Sequence, residues 1–285
     1  MAAEKPPPIY SYLQPPMHAP TQLRYAGCLS TPPLWKGTAV SPFPQMELPQ
    51  PAVPLEGDAS FETYRLGKLA EAFIFHALKQ ESTVTWIGDN LQIQQGKRTV
   101  GEVDALFYDH GRPVHLEVAY KLYLYDNRKK YDTPLDPWIG PNHKDRLVLK
   151  LDKLHRKQFP LLRGELAHTY LQQYGLAFEQ LQQRLCFKGQ LFLPYRQEAI
   201  DIAPLNRDCI AGFYLTLDEL RAFRDCTFFI PHKLDWLIAP HQQVHWRPYP
   251  EAEKAIREAI AKQRSPMVWI RQRKGGTMRC FVVFW

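Results

Sequence analysis

The chain has 285 residues, with 36 Lys and Arg against 29 Asp and Glu, a formal net charge of +7 and 45% hydrophobic residues. That is enough apolar chain for one large domain or two small ones, and no apolar run reaches the roughly 18 residues that a membrane helix needs. The positive balance is compatible with a nucleic-acid partner without demanding one, and five cysteines, odd in number and lacking any CxxC pair, argue against a disulfide framework or a zinc knuckle.

The opening MAAEKPPPIY has no apolar stretch of signal-peptide type, so a cytoplasmic location is expected. Residues 1–59 hold PPP at 6–8 and PP at 15–16 and 32–33. Because proline breaks helices and central strands, this region reads as an extended arm. Its segment LRYAGCLSTPPLW is apolar enough to dock on a core. Ser60 is a plausible N-cap for a helix in FETYRLGKLAEAFIFHALKQ, where Leu66, Leu69, Ala70, Phe73 and Ala77 recur at three- and four-residue spacing.

Short strands are expected at 83–88 and 91–94, and a hairpin at 101–108 and 113–124 about the turn Asp109-His110-Gly111. Residues 125–143 are rich in turn formers and read as a loop. KDRLVLKLDKLHRKQF, 144–159, reads as a basic amphipathic helix with Leu147, Leu151 and Leu154 on its apolar face. A further helix is expected at 165–185. Short β-like runs follow in QLFLPY, AGFYLTL and TFFIPHKLDWL, then a helix near 250–263 and a closing hairpin turning at Lys274-Gly275-Gly276. The order predicts an α/β or α+β chain with a mixed sheet.

The chemistry lies in VGEVDALFYDHGRPVHLEVAYKLYL, residues 100–124. Side chains alternate along a strand, so Glu117, Ala119 and Lys121 share one face. Register across the hairpin can bring Asp104 beside Glu117. Burying bare charge in a sheet is costly unless it is paired or holds a metal. Two neighbouring carboxylates repel, and a Mg²⁺ ion bound between them relieves the repulsion. A nearby lysine can then handle a water or a developing phosphate charge. Glu102, on the Asp104 face, is a spare ligand candidate. His115 precedes Glu117 on the same face and reads as a structural or exposed histidine.

This stretch resembles the core of the PD-(D/E)xK nuclease superfamily, in which a hairpin joins an acidic residue on one strand to an acid on the next. The resemblance implies an α/β fold: a restriction-endonuclease-like core at 60–160, a mixed central sheet flanked by helices, with a C-terminal α+β extension at 161–285 packed on it. It implies Asp104 and Glu117 as metal ligands, Glu71 of GKLAEAF as the acid of the first core helix, and Mg²⁺ or Mn²⁺ as the cofactor. The superfamily lysine normally stands two residues after the acid, where this chain has Ala119; Lys121, two residues further along the same face, is the candidate for its catalytic role, handling the water or the transition-state charge. In related nucleases the helix after the core strands borders the site, which makes Lys150 and Gln158, with Lys144 and Arg146, candidates for contacting nucleic acid. From about residue 23 the chain also resembles a bacterial family known as domain of unknown function 1853, through blocks such as LGKLAEAF, HLEVAYKLYL and IGPNHKDRLVLKLDKLHRKQ. The expected activity is metal-dependent hydrolysis of DNA or RNA phosphodiesters. The alternative is a nuclease fold without turnover that binds nucleic acid or a protein partner.

Overall fold

The computed structural model describes residues 19–48, 55, 61, 63, 65–197, 200–273 and 275–285. The Ser60 cap and the turn residue Lys274 lie outside them. Strand β1 (Val84–Gln95), β2 (Arg98–Asp109) and β3 (Arg112–Tyr125) form an antiparallel meander. Its tight turn, His110-Gly111, has φ of +49° and +72°. Two positive φ values in succession twist the chain in the sense that suits a two-residue hairpin. The expected strands at 83–88 and 91–94 are one strand, β1, with register shifts at Gly88 and at Ile93 absorbing its irregularity.

The β2–β3 turn expected from the sequence is therefore present. The helix expected over 165–185 is not one element. It is α4 (Glu165–Gln172), a turn at Gly175 with φ +66°, and then strand β5 (Gln182–Pro194). β5 runs parallel to β3 from Val114↔Gln182 to Leu124↔Phe192. It is buried through most of its length, and a parallel strand covered on both faces loses the alternation that reveals strands at a sheet surface. β6 (Ile210–Thr216) and β10 (Thr277–Val283) continue the parallel part, and β9 (Met267–Arg271), β7 (Thr227–Phe229) and β8 (Arg247–Pro248) the antiparallel part. The described strands thus form one mixed sheet, ordered β1-β2-β3-β5-β6-β10-β9-β7-β8, with the short β4 (Trp138–Ile139) pairing with the end of β3.

Helices cover both faces. On one, α2 (Leu66–Lys79) lays Leu66, Leu69, Phe73 and Ala77 over Leu116, Val118 and Tyr120 of β3. Helix α1 (Ala19–Ser30) packs beside it, with Tyr25, Cys28 and Leu29 buried. Over its described part the N-terminal region is thus not a free extended arm. Pro20 falls in the first described turn of α1, where a missing N–H costs little. Beyond α1 the chain runs along the sheet, with Leu34 and Trp35 fully buried and the Met46 N–H donating to Leu185 O at 2.7 Å.

On the opposite face, α3 (Leu147–Lys153) buries Leu147 and Leu151 against Ala119, Tyr123 and Phe187. A π-helical turn (Leu154–Gln158) and a 3-10 turn (Phe159–Arg163) continue it. The basic helix starts three residues later than 144 because Gly140–Asp145 forms a closed loop, its Gly140 N–H donating to Asp145 O at 2.8 Å. Tyr123 is wholly buried and Tyr125 packs edge-on to Trp138, so both serve the core. Helix α5 (Tyr249–Ala261) covers the C-terminal strands.

Candidate functional site

The site is made by a fork in the sheet. β1 and β2 stay paired to their tip at Gln95↔Arg98, but β2 leaves β3 after Ala105↔Leu116. One residue further along this register, Asp104 faces Glu117. At that point the Val118 N–H has lost its strand partner, and it donates instead to Asp104 Oδ2 at 2.8 Å. From Val118 until β4 arrives at Leu124, the edge of β3 borders open clefts rather than another strand.

Glu117 is completely buried, and Asp104 and Glu71 are nearly so, at 7% and 8% exposure. Glu71 reaches the fork from α2, on the other side of the sheet from α3. Burial, then the neighbouring Glu117 carboxylate, push the Asp104 carboxyl up to about 7. Burial likewise lifts Glu71 to about 7, with Lys68 opposing and Asp104 adding to the rise. Glu117 is raised by burial, against the pull of the Lys150 ammonium. Three carboxyls from a helix and two strands are therefore held close enough to feel one another, at a cost that only an added cation or protons can relieve.

A relay of side chains fixes Glu117. Gln183 lies opposite His115 across the β3–β5 ladder. Its Nε2 donates to Phe159 O at 2.8 Å and lies 3.1 Å from His115 Nδ1. His115 Nδ1 therefore accepts, and Nε2 carries the proton to Glu117 Oε1 at 3.0 Å. Burial lowers the His115 pKa to about 4, so the ring is neutral at ordinary pH. The other oxygen, Oε2, accepts from Gln158 Nε2, and Gln158 Oε1 accepts from Lys150 Nζ at 2.9 Å. Eight residues overshoot two turns of a regular α-helix by about 80°. The wider π turn at 154–158 compensates, bringing Gln158 round to the side of Lys150.

Lys150 and Lys121 have different surroundings. Lys150 is drawn into the acid cluster: burial lowers its pKa, and Asp104 and Glu117 pull it back up. Lys121, on the Glu117 face as expected, instead pairs with Asp145, both partners being about one-third exposed. Ala119, at the usual lysine position, lines the same cleft as Lys150. Lys68 is a further cation of the site. Its Nζ donates to Glu71 at 2.8 Å, Glu102 at 2.9 Å and Asn90 at 2.6 Å. Burial opposes its charge, but these carboxylates outweigh burial and raise its pKa.

Two clefts, of about 500 and 670 Å³, meet over this cluster and share Lys68, Glu71, Val118, Lys150 and Lys153. Together they make a trough. Lys157 and Gln158 border one end, and Lys144, Arg65 and Lys233 the other. Arg146 does not line it; its Nη2 donates to Asp136 O and braces the loop. The structure thus gathers Glu71, Asp104, Glu117, Lys150 and Gln158; Lys121 lines the same cleft as Lys150 but is paired with Asp145, and Arg146 lies outside the lining. Sequence reasoning missed the roles of Lys68, His115 and Gln183. His115 carried a signal, two residues before Glu117 on the same face. Gln183 carried none while its strand read as helix.

The donor set suits a hard divalent cation, since the carboxyls present only oxygen. Among the described residues, no group of three or more His, Cys, Asp or Glu side chains forms a ready-made metal cage. Mg²⁺ does not require one, because it typically takes one or two carboxylates and completes its shell with water and phosphate oxygens. Asp104 and Glu71, each with one oxygen outside the hydrogen bonds described above, are the groups that could hold such an ion.

No curated protein and no solved structure matches the chain significantly. A family model, domain of unknown function (DUF1853), matches residues 24–283, from within α1 to the end of β10. The chain therefore belongs to the DUF1853 family.

Proposed function

We propose that the protein is a metal-dependent nuclease that hydrolyses phosphodiester bonds of DNA or RNA on a restriction-endonuclease-like core. One observation carries the reading: Glu71, Asp104 and Glu117 converge with Lys150 under a trough bordered by lysines. A basic trough attracts a polyanion, and an acid cluster at its base has no use for that polyanion unless cations mediate between them. In this reading Asp104 and Glu71 hold Mg²⁺ or Mn²⁺, which supplies Lewis-acid stabilisation of charge on the phosphoryl group. Glu117, locked by His115 and Gln158, keeps Asp104 and Lys150 in place. Lys150 supplies the positive charge that the superfamily places on the strand, here from α3, and stabilises the developing phosphorane charge. Lys144, Lys153 and Lys157 contact flanking phosphates.

A second reading is a binding module without turnover. It is favoured by Glu117, whose two oxygens are both engaged by protein donors, and by Ala119 at the lysine position. A divalent-metal titration at pH 8 separates the two. Saturable Mg²⁺ or Mn²⁺ binding that disappears in Asp104→Asn supports the nuclease. Absence of binding in the wild type leaves only the module.

A further inference from the structure

The β1–β2 ribbon continues past the point where β2 leaves β3, and nothing in the carboxylate chemistry requires it to. From Asp104 to the turn it runs about seven residues, roughly 20 Å. Its base is supported: Ile93 and Val103 pack on Leu162 and Leu171, and Gly101 lies against Leu161. Its tip is not. Every residue from Gln94 to Val100 is exposed, and Val100 is 48% exposed. The turn is made at Gly96, φ +59°, and the next two residues are Lys97 and Arg98. The flank carries amides and a hydroxyl: Gln92 Oε1 accepts from Gln94 and Thr99. Val100, Gly101 and Glu102 line the trough, together with Lys157 and Leu161.

We infer that this ribbon is a duplex-DNA-binding arm whose tip enters the major groove beside the phosphodiester held in the trough. The inference rests on the reading of the trough as a nuclease site and goes beyond it by naming the substrate class. The dimensions agree. The tip stands about 10 Å beyond Ile93, its last buried residue, while the major groove of B-DNA is about 8.5 Å deep and admits a two-stranded ribbon. Lys and Arg at the turn serve phosphates or guanine edges, and Gln94 and Gln95 present amides of the kind that read adenine. A-form RNA has a deep, narrow major groove that excludes such a ribbon, so duplex RNA does not fit. Single strands offer no groove, and the tip has no aromatic side chain on which bases could stack.

The test is equilibrium binding in EDTA, where no cleavage occurs, of a labelled DNA duplex of about two helical turns. The comparison is wild type against the double variant Lys97→Ala/Arg98→Ala, with the matching single strand and duplex RNA as further probes. The tip is exposed, and unchanged melting curves verify that the variant folds. The expected result is a loss of about tenfold or more in duplex-DNA affinity, a salt-dependence slope smaller by about 2, and unchanged single-strand binding. Wild-type duplex affinity in the variant, an equal loss for single strands, or wild-type preference for duplex RNA each overturns the arm. A tip variant that binds and cleaves duplex DNA like the wild type removes the arm and leaves the carboxylate site standing. An Asp104→Asn protein that keeps tip-dependent duplex binding, alongside a wild type that cleaves nothing, removes the nuclease and leaves the arm.

Discussion

Replacing Asp104 by Asn should change how stability depends on pH. Asp104 has a folded-state pKa near 7, against about 3.9 for an unfolded aspartate. A carboxyl whose pKa is raised on folding binds its proton more tightly in the native state. Its stabilisation is complete below pH 4 and is lost as pH climbs through 7. A rise of about three units corresponds to about 4 kcal/mol at 1.36 kcal/mol per unit, of which about 2–3 kcal/mol lies between pH 5 and pH 8. Asparagine cannot ionise, yet its amide oxygen still accepts the Val118 N–H that Asp104 Oδ2 accepts at 2.8 Å. Urea denaturation of both proteins at pH 5 and pH 8 in EDTA measures the effect. The wild type should lose about 2–3 kcal/mol more than Asp104→Asn over that interval, and Mg²⁺ should restore most of the loss at pH 8. Equal pH dependence in the two proteins would refute the argument that Asp104 is held beside other carboxyls at an energetic cost.

Lys150→Ala should lower cleavage by about 10²–10³, and Ala119→Lys added to it should recover part of the activity, because both positions line one cleft; kcat for the three proteins decides. Lys121→Ala, which breaks only a partly exposed ion pair with Asp145, should cost under about 1 kcal/mol and leave kcat within a few-fold. His115→Phe strands a buried Glu117 oxygen and one N–H of the Gln183 amide, whose other N–H keeps Phe159 O, and should cost about 2–4 kcal/mol in denaturant titrations. Gly27→Ala would normally strengthen a helix by about 1 kcal/mol. Here the added Cβ would lie 2.0 Å from Leu237 O, so destabilisation of about 1–3 kcal/mol or more is expected in a thermal melt. A more stable Gly27→Ala protein would contradict the docking of α1 on residues 233–237.

What the sequence disclosed follows local physics. The β2–β3 hairpin was legible because its turn, its alternation and its charged face are all encoded within about 25 residues of one another. Helix α2 was legible from its spacing, but it begins at Leu66 rather than just after Ser60: Phe61, Thr63 and Arg65 are not helical, and Arg65 is extended. Strand β5 was not, because a strand buried on both faces has no alternation, and its helical neighbour α4 lent it a false continuity. Helix α1 was hidden by the prolines around it. At the site, Asp104 and Glu117 could be picked from the strand pattern, and Glu71 through the resemblance to the nuclease superfamily. The meeting of Lys150 and Gln158 beside them could not, since it depends on the loop at Gly140–Asp145 and on a π turn, neither of which has a periodic signature. The Lys68 and Gln183 contacts depend on tertiary pairing and were equally silent.

The most direct test of the central claim is cleavage of duplex and single-stranded DNA and RNA by the wild type, Asp104→Asn and Lys150→Ala, in Mg²⁺ and then Mn²⁺. A metal-holding acid site predicts metal-dependent cleavage by the wild type and a loss of about a hundredfold or more in each variant. Cleavage that survives both substitutions unchanged, or a folded wild type that binds these metals and cuts none of the substrates, would contradict it.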